Sequence, residues 1–167
     1  MNEKHIVSSF DRDLESIQAT VMKMGGLVEK ALLDATNALK SRDVELAEAV
    51  RKSDKLVDEL DLAVKTDAAR LLALRSPTAG DLRTVLSVME IASHLERCGD
   101  YAKNMAKRTI AMEGSGEIAG SLAALGRMST FVETMIRDSL DAYIERDVTK
   151  AAEIIERDLE ADQIYNT

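Results

Sequence analysis

Apolar side chains recur at alternating steps of three and four along most of this chain, the spacing that lines one face of an α-helix. Ile6, Ile17, Val21, Met24, Val28, Leu32, Ala35 and Leu39 mark a first long stripe, weakened mid-length by Gly25 and Gly26. A second stripe runs through Ala47, Val50, Asp54, Val57, Asp61, Val64, Ala68 and Leu71, with Asp43 placed to cap it. Two of its core-facing positions are therefore aspartates. The phase breaks at LRSPTAGDLR, where Pro77 lacks an amide donor and disfavours helix for Ser76. Ser76 is then expected to cap a third helix with Pro77 as its first residue. Leu82, Val85, Val88, Met89, Ala92, Leu95, Gly99, Ala102 and Ala106 carry that helix to about Met112. The glycine- and serine-rich MEGSGEIAGS reads as a connection. A fourth helix is expected from about Leu122 to Ile144 and a fifth from near Asp147, which makes the fold class all-α.

The chain repeats itself. Shifting residues 27–60 forward by 104 positions without a gap gives ten identities in 34. Arg42, Asp43 and Val44 fall on Arg146, Asp147 and Val148 at a helix boundary, and Asp54 and Asp58 fall on Asp158 and Asp162. The expected organisation is a first three-helix unit over 1–113, a linker over 114–119, and over 120–167 the first two helices of a second unit, incomplete because its third helix has no counterpart. A chain of this kind reads as part of a longer protein. It would leave an apolar groove on helices four and five, to be filled by another copy or left mobile.

Composition sharpens the class. Of 167 residues 46% are hydrophobic and 31% charged, with no tryptophan and one proline, a mixture that favours helix. A formal net charge of -8 sets the chain against nucleic acid and anionic membrane surfaces as direct partners. No apolar run approaches the ~20 residues that span a bilayer, and MNEKHIVSSFDRD lacks the pattern of a secretory leader. The expected location is the cytoplasm, with any membrane association made through partners. The single cysteine, Cys98, cannot form a disulfide within the chain.

Candidate chemistry lies in the acids. Residues four apart on a helix turn about 40° from each other, so two carboxylates at that spacing can address one ion. Such pairs are Asp54 with Asp58, Glu96 with Asp100, and Asp158 with Asp162. In a chain with 30 acids most pairs of this kind are solvated surface, and like charges at this spacing repel by a few tenths of a kcal/mol. Position changes the weighing, because Asp54 sits in the seam of the second helix while Glu96 and Asp100 flank the stripe of the third. Carboxylates gathered there repel and resist desolvation unless a cation, protons or basic partners neutralise them. An all-oxygen donor set suits hard ions such as Mg²⁺, Mn²⁺ or ferric iron. Arg97, Lys55 and Lys103 are the nearby residues able to neutralise the charge instead.

Enzyme chemistry is poorly served by the same residues. A carboxylate-bridged metal oxidase of the ferritin-like kind needs Glu-x-x-His on its helices; Ile91 stands three before His94, and His5 is expected ahead of the first helix. There is no phosphate-binding glycine loop and no Ser/His/Asp or Cys/His signature. Cys98 reads as a packing residue, and Gly99 as a site of close approach by a neighbouring helix or ion.

The segment LRSPTAGDLRTVLSVMEIASHLERCGDYAKNMAKR closely resembles the signature of the PhoU family of regulators of phosphate-specific transport. Arg75, Pro77, Ala79, Asp81, Leu82 and Arg83 match its opening; Leu95, Glu96, Arg97, Gly99, Asp100, Ala102 and Asn104 match its Leu-Glu-Arg-x-Gly-Asp and Ala-x-Asn elements. Cys98 stands where an aliphatic residue is usual. The resemblance implies tandem three-helix bundles and metal clusters, of iron, zinc, manganese or magnesium, held by the acid motifs. By motif the ligands would be Asp54, Asp58, Glu96 and Asp100, then Asp158 and Asp162 in the half-built second repeat. It also implies a non-enzymatic, dimeric adaptor between the ATPase subunit of a phosphate ABC transporter and a sensor histidine kinase, repressing the phosphate-starvation response. The alternatives are a metal-independent helical scaffold and, against the missing histidines, the metal oxidase.

Overall fold

A computed structural model of the chain describes residues 3–114 and 119–165. Five helices follow one another: α1 (Glu3–Ser41), α2 (Val44–Arg75), α3 (Ala79–Ala111), α4 (Ala119–Glu145) and α5 (Val148–Tyr165). Among the described residues none is long and apolar enough to cross a membrane. Most of the expected linker, residues 115–118, lies outside the described residues.

Helices α1, α2 and α3 pack against one another. Val21, Met24 and Val28 from α1, Val64 from α2, and Val85 and Val88 from α3 are wholly buried between them. These are the stripe positions read from spacing alone, and on α2 the buried set includes both seam aspartates, Asp54 and Asp61. His5 lies inside α1, not ahead of it, since the helix begins at Glu3.

The glycine pair does not interrupt α1. Gly25 is where α4 crosses, because a Cβ there would collide with Leu140, while Gly26 faces open space. Helix α4 runs antiparallel to α1, Gln18 donating to the Tyr143 hydroxyl at 2.9 Å, Arg137 pairing with Glu29 at 2.8 Å, and Thr36 and Ser129 sharing a hydrogen bond. Among the described residues helix α5 packs on α4 and on no other helix.

The repeat is visible at its turns. Arg42 and Arg146 both adopt the left-handed conformation, with φ of 56° and 54°. The amides of Asp43 and Asp147 donate back to Ala38 and Ala142 at 2.9 Å, the bond across a left-handed helix end. The Asp43 and Asp147 carboxylates accept from the amides of Leu46 and Lys150, each at 2.9 Å, and so cap α2 and α5.

The α2–α3 connection differs from expectation. Ser76 closes α2 in the left-handed region, and Thr78, not Ser76, caps α3. Pro77 keeps Ser76 from continuing the helix, and Thr78 holds Asp81 reciprocally, its hydroxyl donating to the carboxylate at 2.7 Å. The Thr78 hydroxyl in turn accepts from the Asp81 amide at 3.5 Å, meeting one of the first-turn donors that have no partner within the helix.

Candidate functional site

The α2–α3 seam gathers the acids of the first repeat. Asp54 is 6% exposed and Asp61 9%, both facing the core from α2. Asp58 lies between them on the exposed flank, and Glu96 and Asp100 stand half-buried on α3. The five carboxylates feel one another. Partial burial, then Asp54, Asp100 and Asp61, push the Asp58 carboxyl above its ordinary value, with Lys103 opposing. Partial burial, then Asp100, Asp58 and Asp61, do the same to Glu96, with Lys65 opposing.

Two lysines answer this charge. Lys103 reaches from α3 across the seam to Asp54 Oδ2 and holds Asp100 Oδ1 at 3.0 Å. The hydrogen bonds to Asp54 and Asp100 raise its ammonium pKa, so it is cationic under all ordinary conditions. Lys65 pairs with Asp61 Oδ2 at 2.5 Å. The other cations suggested by sequence go elsewhere: Arg97 donates to the Tyr101 hydroxyl at 3.1 Å and Lys55 lies 3.6 Å from Glu59. The remaining oxygens, Asp54 Oδ1 and Asp61 Oδ1, are buried without a hydrogen-bond partner. A buried carboxylate oxygen in that state carries a desolvation cost of about 1–3 kcal/mol or more.

Gly99 faces this junction. A Cβ there would lie 3.5 Å from Val57 Cγ1, 3.6 Å from Asp54 Oδ1 and 3.8 Å from Val28 Cγ2. Those are ordinary contacts, so the helices do not require glycine in order to approach as they do. Cys98 beside it is partly buried, and burial pushes its thiol pKa up against the pull of Arg97, which fits a packing residue better than a nucleophile.

The donor chemistry fits a hard cation, all carboxylate oxygens with two buried ones unpaired. The side-chain arrangement does not yet cage one: among the described residues no three acidic, histidine or cysteine side chains converge as metal ligands, and the Lys103 ammonium stands between Asp54 and Asp100. Asp58, Asp54, Glu96 and Asp100 are thus brought to one junction. Asp158 and Asp162 are not, because both are exposed on α5, which does not touch α2. Sequence reasoning passed over Asp61 and Lys65 as members of the site. Asp61 was legible as a second acid at a buried stripe position, two turns beyond Asp54, and Lys65 as a cation one turn further on.

A second feature is an apolar groove of about 730 Å³ between α3, α4 and α5, floored by Val132, Met135 and Ile136 with Asp158 and Ala161 on one wall and Ile91 and His94 on the other.

The chain is similar to known proteins over nearly all of its length. The family model described as the PhoU domain matches residues 21–109 and 125–167. A phosphate-specific transport system accessory protein PhoU homolog of Zymomonas mobilis is 41% identical, over 97% of this chain and 68% of its own length. The accessory protein PhoU of Escherichia coli is 37% identical, over 97% of this chain and 67% of its own. Crystalline PhoU from Pseudomonas aeruginosa superposes with a TM-score of 0.90 at 33% identity, covering 94% of this chain and 75% of that one.

Proposed function

The chain belongs to the PhoU family, and from that premise we propose that it is a non-enzymatic accessory protein of phosphate-specific transport whose α2–α3 junction takes up a hard cation. Its relatives carry the name of that transport system, and the adaptor role, between the transporter's ATPase subunit and a sensor histidine kinase, follows the family resemblance. It acts in the cytoplasm as an oligomer, holding the phosphate-starvation response off when phosphate is plentiful.

The observation that carries the cation reading is the buried, unpaired Asp54 Oδ1 at the centre of a junction where five carboxylates face two ammonium groups. When bound, a multivalent ion such as magnesium, manganese, zinc or iron neutralises that surplus. Asp54 and Asp58 from α2 and Glu96 and Asp100 from α3 would hold it. Because the donors come from two helices, occupancy ties them and sets the face that the bundle shows to partners.

Metal analysis of protein purified without metal-affinity resin tests the reading, beside a variant carrying Asp54→Ala, Glu96→Ala and Asp100→Ala. The expected result is bound divalent or ferric ion in the parent and loss of it, with a lower Tm, in the variant. Equal metal content in the two would overturn the ligand assignment.

One observation favours a second reading, a scaffold that needs no metal. Lys103 and Lys65 already pair one oxygen each of Asp54 and Asp61, so ammonium groups meet part of the need. In that case the parent binds no ion in dialysis against each metal, and partner binding is unaffected by chelator.

A further inference from the structure

We propose that the Lys103 ammonium and a hard divalent cation are alternative occupants of the space between Asp54 and Asp100, so that this lysine sets the concentration at which metal enters the α2–α3 junction. The inference rests on the cation reading above and adds to it a residue that decides affinity.

Among the described residues Lys103 is the one cation in the junction seen to join the two helices. It spans from α3 to the buried Asp54 on α2 while keeping Asp100, one turn earlier on its own helix. An ammonium is a compact point charge that donates hydrogen bonds and accepts none. It can neutralise Asp54 Oδ2 and Asp100 Oδ1, yet Asp54 Oδ1 stays buried and unpaired beside it. One positive charge is thus placed where a doubly charged ion would satisfy more oxygen atoms. The two cannot share the position. Both need the same two carboxylates, and like charges at such separation repel strongly in a partly desolvated seam.

The lysine has a way out. Its side chain is 26% exposed although the Asp54 side chain it pairs with is only 5% exposed, so the lysine lies at the solvent edge of the seam. Rotation about the flexible four-carbon stem carries the ammonium into solvent without unpacking a helix. Lys65 has a different place: it pairs with Asp61, one turn before it on the same helix, and bridges nothing. Removing Lys103 should therefore change metal uptake, and removing Lys65 should change it less.

The test follows Mn²⁺ binding to the full chain by calorimetry and thermal melting, in the parent and in Lys103→Met, Lys103→Arg and Lys65→Met variants. Lys103→Met, nearly isosteric and uncharged, is expected to melt lower than the parent in chelator and to bind Mn²⁺ roughly ten- to hundredfold more tightly, the scale of one charge-assisted hydrogen bond, that to the buried Asp54, which the ion no longer has to displace. Lys103→Arg keeps the charge and should stay near the parent. Amine labelling of the parent with acetic anhydride, read by mass spectrometry, needs no variant to fold: Lys103 should be protected in chelator and become reactive as Mn²⁺ saturates, with Lys52 as the exposed control.

Mn²⁺ binding of equal strength in the parent and Lys103→Met, or Lys103 labelling unmoved by bound Mn²⁺, would overturn the competition while leaving the cation reading intact. No Mn²⁺ binding by the parent or by Lys103→Met would overturn both.

Discussion

Gly99 separates a packing role from an ion-binding role at the scale of one methyl group. Its would-be Cβ makes only ordinary contacts with Val57, Asp54 Oδ1 and Val28, and alanine in a helix interior is favoured over glycine by about 1 kcal/mol. Gly99→Ala should therefore stabilise the protein in chelator by up to ~1 kcal/mol, measured by urea denaturation, while the methyl beside Asp54 Oδ1 weakens Mn²⁺ uptake. A loss of stability in chelator would show that the seam is tighter than described. The acids predict a pH response of definite sign. Asp58 and Glu96 have folded-state pKa values raised above 3.8 and 4.5, so the folded state binds protons more tightly than the unfolded one. Their charged forms are unfavourable at neutral pH, and the penalty is relieved as pH falls through the raised values. Partial burial sets it first, and then the charges of Asp54, Asp61 and Lys65 on α2, of Asp100 and Lys103 on α3, and of Asp58 on Glu96. In chelator, Tm should hold or rise between pH 7 and about 5, and Asp58→Asn with Glu96→Gln should flatten the profile. A Tm that falls steadily across that interval, equally in the variant, would contradict this account. The buried acids could be read from sequence because Asp54 and Asp61 occupy positions in an otherwise apolar stripe. The lysine that meets Asp54 could not, since Lys55, Arg97 and Lys103 were equally near and only side-chain reach across the seam distinguishes them.

At the scale of helices, the spacing of apolar residues located all five elements, but the junctions answered to local backbone chemistry that spacing does not carry. Pro77 identified the break between α2 and α3, yet the cap fell to Thr78 because its hydroxyl can exchange hydrogen bonds with Asp81. The repeat, by contrast, was most legible at a junction: Arg42–Asp43 and Arg146–Asp147 are the same helix end, built twice with the same left-handed residue and the same cap. An L-residue other than Gly in that conformation carries a strain of about 1–2 kcal/mol. Arg146→Gly should relieve part of it, offset by the greater freedom of glycine when unfolded, for a net gain of about 0.5–1 kcal/mol. Denaturant unfolding monitored by circular dichroism would register this as a higher midpoint with an unchanged slope. A lower midpoint would mean that the arginine side chain contributes more than the backbone strain costs.

The whole molecule is unevenly supported, and its two ends should differ in motion. Three helices surround the core of Val21, Met24, Val28, Val64, Val85 and Val88. Helix α4 is fixed to α1 along its length by the Gln18–Tyr143, Glu29–Arg137 and Thr36–Ser129 contacts, whereas among the described residues α5 packs only on α4. Val148, Ile155 and Leu159 on α5 are 81%, 74% and 67% exposed, and Val132, Met135 and Ile136 of α4 line the floor of the neighbouring groove. Local opening is least costly where few apolar contacts are lost. Amide hydrogen exchange followed by mass spectrometry should therefore find α5 least protected, α4 intermediate, and the cores of α1, α2 and α3 most protected, approaching the global unfolding limit. Cation uptake at the α2–α3 junction should deepen protection in those two helices and leave α5 unchanged, because among the described residues α5 packs on neither of them. Protection of α5 equal to that of α2, with or without metal, would contradict this ordering and would require a support for α5 that its packing on α4 does not supply.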